Sequence, residues 1–201
     1  MTHRAALRDA LRVRLEDTTL SPLWTDAMLN EALAGAIRAY GLRIPKQATT
    51  TVDVSAGVTE LPIPAGIGDP TRLIRLVDPR DRVVPAAAED PAAGMVAQSW
   101  RAWETTLRLS QPAIAGTWRL EHLASRQIPA TDLEETDIGS GDEELVLVLA
   151  LAAALRQRAV DDGKRGAGSE MLRLADAART EAAKLFAARQ RRVRGGWLTA
   201  S

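Results

Sequence analysis

The chain predicts an α+β protein, mainly α, with a four-helix core (two N-terminal, two C-terminal helices) and an inserted β-rich segment of short antiparallel strands. Three observations predict it. Apolar residues recur at three- and four-residue steps over residues 3–41 and again over residues 140–194. Between them, β-branched runs alternate with Pro and Gly breaks over residues 48–125. No period of 20–50 residues repeats, which argues against a solenoid. The expected organisation is an N-terminal helical pair (1–46), an inserted β-rich subdomain (47–125), an acidic loop (126–139), C-terminal helices completing the bundle (140–194) and a C-terminal tail (195–201).

The first helix carries Leu7, Leu11 and Leu15 on one stripe, with Arg4, Arg8, Arg12 and Arg14 off it. It should stop near Asp17-Thr18. The second has a defined start. Thr25 is a good N-cap, Asp26 puts negative charge in the first turn, and Trp24 and Leu29 stand at the N′ and N4 positions of a hydrophobic staple. Leu29, Leu33, Ile37 and Tyr40 continue the stripe, Gly41 suits C′, and Pro45 forbids continuation.

In the middle third, residues 49–54 read as a strand, Ser55-Ala56-Gly57 as a turn and Val58–Leu61 as the returning strand. Leu73–Val77 is a third strand, Asp78–Asp81 has turn chemistry, and Val83-Val84 begins a return that Pro85 cuts short. Residues 105–109 and 117–123 complete the strands. In the last of these, Trp118, Leu120 and His122 share a face. The acidic stretch 126–139 reads as an exposed loop.

The third helix opens with a capping box, Ser140 at N-cap and Glu143 at N3. Eleven apolar residues follow, Leu145 to Leu155. They would span roughly 16 Å of helix, about half a bilayer core, so they predict a buried central helix and not a membrane span. The last helix runs from about Ser169 to about Arg192, with a stripe of Met171, Leu174, Ala178, Ala182 and Leu185. It ends in Arg189, Arg191, Arg192 and Arg194, followed by Gly195-Gly196-Trp197.

Composition narrows the chemistry. Of 201 residues, 26 are basic and 26 acidic, so there is no net charge to favour nucleic acid along a whole face. There is no cysteine and there are two histidines, which removes thiolate catalysis and leaves little for a metal site. Gly163–Ser169 precedes a helix but follows one too, unlike a phosphate loop, which needs a buried strand before it. The acids Glu134, Glu135, Asp137, Asp142, Glu143 and Glu144 lack the spacing of a calcium hand. His122 reads as structural, and no nucleophile elbow is present. The expectation is a non-enzyme with no cofactor or metal. The N-terminus carries no apolar signal region, which predicts synthesis in a cytoplasm. Among the five tryptophans, Trp100 and Trp103 suit a core or an interface, and Trp197, beyond a double glycine, suits docking onto a partner. The terminal arginines admit three readings: complements to a helix dipole, nucleic-acid contacts, or bidentate anchors for a partner's carboxylates, the last being favoured.

The segment Leu23-Trp24-Thr25-Asp26-Ala27-Met28-Leu29-Asn30-Glu31-Ala32-Leu33, continuing to Tyr40, resembles the opening of head-to-tail adaptor (connector, head-completion) proteins of tailed bacteriophages. The order that follows is similar to theirs as well: a β-rich middle, an acidic loop, a Leu/Ala helix and a long Arg-rich helix. The resemblance implies a non-catalytic virion neck protein assembled in the host cytoplasm. It implies a homo-oligomeric ring, commonly of twelve subunits, between the portal protein and a stopper or tail-completion protein. DNA would pass through the lumen without sequence-specific binding, and no membrane is involved. The portal contact falls on Arg189, Arg191, Arg192, Arg194 and Trp197. A reading from another class stays open on sequence grounds: a DNA-binding regulatory or packaging accessory protein using the Arg-rich C-terminal helix.

Overall fold

Leu7 and Leu11, one turn apart and buried, fix the first helix: in the computed structural model α1 spans Arg4–Arg14. The structure describes residues 2–67, 69–87, 98–139, 141–163 and 168–197, the last eight of these by backbone alone. Three further helices follow the apolar periodicity: α2 (Asp26–Arg43), α3 (Glu143–Gly163) and α4 (Ser169–Trp197). Among the described residues, seven short strands lie between α2 and α3: β1 (Lys46–Val54), β2 (Glu60–Pro62), β3 (Leu73–Val77), β4 (Val83–Val84), β5 (Trp100–Trp103), β6 (Thr106–Leu109) and β7 (Gly116–Ala124). The chain is therefore α+β. It divides into a helical unit, Met1–Ile44 with Arg126–Ser201, and a strand unit, Pro45–Ser125.

The helical unit is built around α3, which packs against α1, α2 and α4. Leu145, Val146, Leu147 and Val148 are four consecutive buried residues, which is possible only for a helix covered on most sides. Small residues at Ala150, Ala154, Ala175 and Ala182 face this core and let the helices approach closely. On α4 the buried positions are Ala175, Ala182 and Phe186, while Leu174 is exposed, so the stripe is rotated from the one the leucines suggest. Gly41 does not end α2. The helix runs on to Arg43, and a Cβ at Gly41 would stand 3.2 Å from the Arg126 side chain. The glycine serves a close approach, not a stop. No helix among the described residues is long and apolar enough to cross a membrane.

The strand unit holds two antiparallel sheets, ordered β1-β7-β3-β4 and β2-β6-β5. Trp118 and Leu120 on β7, with Leu76, Leu61 and Leu107, are its fully buried centre. The expected β1–β2 hairpin does not form: β1 pairs with β7 along its whole length, Lys46 opposite Ala124 through Val54 opposite Gly116. β2 belongs to the other sheet, with Leu61 opposite Leu107. The β3–β4 hairpin does form. Asp78, buried at its turn, accepts hydrogen bonds from the Arg80 and Arg82 amides at 2.9 and 2.8 Å. Trp100 and Trp103 lie on β5, a strand the sequence did not announce. The Trp100 indole is buried and donates to the Val84 carbonyl at 3.0 Å, whereas Trp103 is half exposed under the Arg108 guanidinium. His122 is buried, with Nε2 3.0 Å from the Thr50 hydroxyl.

Candidate functional site

The start of α2 is an anchored corner. The Thr25 hydroxyl accepts from the Met28 amide at 3.3 Å, as an N-cap does. Trp24 and Leu29 flank that cap, both buried in the helical core, and the Trp24 indole donates to the Ala154 carbonyl of α3 at 3.5 Å. Asp26 in the first turn pairs with Arg12 and Arg8. Hydrogen bonding from Arg12 holds the Asp26 carboxyl below the usual range. The turn before α2 is clamped by the buried Asp17 carboxylate, which accepts from the amides of Leu23 at 2.6 Å and Trp24 at 3.1 Å.

The arginines of α1 are taken up by acids of the same unit. Arg8 donates two hydrogen bonds to Asp132, at 2.9 and 2.8 Å, and Arg4 donates a third at 2.9 Å. These contacts, that of Arg8 foremost, lower the Asp132 carboxyl's pKa. Arg14 makes a fork onto Glu144 and lowers its pKa in the same way. The stretch 126–139 is consequently not the solvated loop expected. It is half-buried along α1, with Thr136 inaccessible and bonded to the Thr2 carbonyl at 2.6 Å. Among the described residues no three acids or histidines gather as a metal site would require.

At the start of α3 lies a polar knot. The first intrahelical acceptor is the Asp142 carbonyl, bonded by the Val146 amide at 3.2 Å, which makes Asp142 the residue in the cap position. Glu143 is the first helical residue, not the third, and its carboxylate accepts from the Thr2 hydroxyl. The capping box expected of Ser140 and Glu143 is therefore displaced, and Ser140 itself lies outside the described residues. Asp142 is buried, and its carboxylate accepts from the Tyr40 hydroxyl at 2.8 Å and from Arg189 Nε at 3.0 Å. The Tyr40 oxygen in turn accepts from the Gly139 amide at 3.1 Å. The Arg126 guanidinium lies 4.8 Å from the Tyr40 ring centre and donates to the carbonyls of Ile44 at 2.9 Å and Asp137 at 2.7 Å. Burial, reinforced by the bond to Asp142, raises the Tyr40 pKa above its ordinary value.

This knot joins the last turn of α2 and Arg189 of α4 to the start of α3. Arg189, expected at a free cationic end, is turned inward onto Asp142 and only about a third exposed (36%). It fixes the point on α4 from which the rest of the C-terminus continues. The helical backbone runs past the double glycine to Trp197, where the sequence suggested a tail. The side chains of Arg191, Arg192, Arg194 and Trp197 lie outside the described residues. Sequence reasoning missed Tyr40, Arg126 and Asp142 as one cluster. The available signal was a tyrosine on an otherwise aliphatic stripe, whose hydroxyl must find a partner when buried.

The family model described as SU10 adaptor protein matches residues 2–198 of the chain. No curated protein matches it.

Proposed function

The chain belongs to the SU10 adaptor protein family, and from that premise we propose that it builds a ring in the virion neck. It is a structural adaptor of bacteriophage assembly. In this reading copies of the chain, commonly twelve in such adaptors, close between the portal protein and a stopper or tail-completion protein. DNA crosses the lumen without being read. The family match along nearly the whole chain is the observation that carries the reading.

The arrangement of α4 supports a division of labour. Arg189 secures the helix to Asp142. Arg191, Arg192, Arg194 and Trp197 are assigned to the portal, where arginine forks and an indole suit a partner's carboxylates and apolar pockets. The test is removal of residues 190–201, which spares the Arg189–Asp142 pair. Helical ellipticity should be retained while capture by the cognate portal is lost. Undiminished capture would refute the portal assignment. Purified virions that lack the chain would refute the neck reading altogether.

A further inference from the structure

Arginines of the helical unit come with carboxylates. Among its described residues, nine form ion pairs with acids. The three that do not are Arg43, Arg156 and Arg179, and all three line one groove of about 370 Å³ between α2, α3 and α4. Its apolar surface comes from Leu149, Phe186 and alanines such as Ala152 and Ala153. Arg43 is held in place, its guanidinium 4.6 Å from the Phe186 ring centre. Three like charges around one small concavity repel each other, and no acid stands among the described residues that line it. The groove is therefore matched to an occupant that is apolar at its tip and anionic beside it.

The same unit exposes such an object. The turn between α1 and α2 carries Glu16, exposed, in a left-handed conformation (φ 53°) and without an ion-pair partner among the described residues. Leu20 on this turn is wholly exposed, and Leu23 is more than half exposed. The turn is not loose: Asp17 clamps its return and Trp24 is sunk in the core beside it. A leucine held on a rigid turn loses little entropy when it docks. Nor does the turn reach its own groove. It lies along Leu151 and Leu155 of α3, whereas Ala152, Ala153 and Arg156 are turned away by roughly a third of a revolution of that helix.

We propose that the groove receives the α1–α2 turn of the next copy of the chain, with Leu20 on the alanine floor and Glu16 between Arg156 and Arg179. Knob and groove sit on different faces of one unit, so the contact is head-to-tail, the kind that closes into a ring when the rotation permits. The inference rests on the ring reading above and names its subunit contact.

Because the chain has no cysteine, the contact can be tested with an introduced pair, Leu20→Cys with Ala153→Cys, both at exposed positions. Portal–adaptor assemblies carrying both changes are treated with a bismaleimide, imaged, and run on a denaturing gel. A ladder of covalent multimers that needs both cysteines is the expected result. Rings by electron microscopy without a ladder would overturn the groove assignment and leave the ring reading standing. Absence of rings with the unaltered chain would overturn the ring reading itself. A second arm reverses charge. Arg156→Glu with Arg179→Glu should abolish rings, and adding Glu16→Arg to that chain should restore them. Rings that persist in the arginine variant while portal capture is lost would make the groove a portal site and refute the proposal.

Discussion

Tyr40→Phe isolates one hydroxyl at the centre of the polar knot. The ring is inaccessible and stays in place, so no cavity opens. What disappears is a donor to the buried Asp142 carboxylate at 2.8 Å and an acceptor for the Gly139 amide at 3.1 Å. A hydrogen bond to a charged group contributes about 1.5–3 kcal/mol, and an amide left without an acceptor costs about 1 kcal/mol more. The sum, about 3 kcal/mol, is a large part of the ~5–15 kcal/mol that holds a typical domain together. The assay is urea unfolding followed by far-UV ellipticity, which reports the helical unit because that unit carries the four α-helices of the described residues. With a urea slope of about 2 kcal/mol/M, the midpoint should fall by about 1.5 M at unchanged slope. There is a second signature. The folded-state Tyr40 pKa is raised, so its contribution is complete below the unfolded value of about 10 and fades as pH rises through the folded value. The phenylalanine variant should lack that alkaline loss. A destabilisation under about 0.5 kcal/mol, the scale of an ordinary surface change, would refute the account of the knot.

Gly139→Ala attacks the same knot sterically. Its methyl would lie 2.9 Å from the Tyr40 hydroxyl and 3.0 Å from the Asp142 carboxylate, so a lower urea midpoint than that of the unaltered chain is expected. Asp132→Asn probes the α1 clasp through pH. The Asp132 pKa is lowered by Arg8 and Arg4, so its contribution is complete above the unfolded value, about 3.9, and is lost as pH falls through the folded one. The variant should be less stable near neutrality and show a flatter acid limb when unfolding midpoints are followed downward from about pH 5. Duplex DNA binding, followed across a salt titration, should be weak and without the steep loss that many released counterions produce. A steep slope would revive the DNA-binding alternative.

The fold class was legible because periodicity alone separates the helical ends from the strand-rich middle. Thr25, Trp24 and Leu29 were readable for a similar reason: a cap and its staple are local, and their geometry depends on five or six consecutive residues. Pairing partners were not. Nothing near residues 58–61 says that β2 joins β6 and β5 instead of β1, since register is settled by which faces share a core. The helix start at Glu143 was misplaced for a related reason. Ser140 and Glu143 satisfy the local pattern, but Asp142 is recruited by Tyr40 and Arg189, residues 102 and 47 positions away. That long-range claim decides where the helix begins. Arg189 follows the same logic: four arginines in six residues look alike in sequence, and only the buried acid opposite tells one of them apart.

The bond from Arg126 to the Ile44 carbonyl ties together the two points where the strand unit leaves and rejoins the helices. That splice has consequences during synthesis. Strands drawn wholly from Pro45–Ser125 are complete on the nascent polypeptide before α3 is translated. The first two helices meanwhile wait with their leucines uncovered. At ribosomal speeds of about 5–20 residues per second, the 81 residues of the strand unit alone impose a delay on the order of 4–16 seconds. The cell thus handles a finished sheet module tethered to an amphipathic hairpin before any adaptor exists, and that interval is when chaperones would have most to hold.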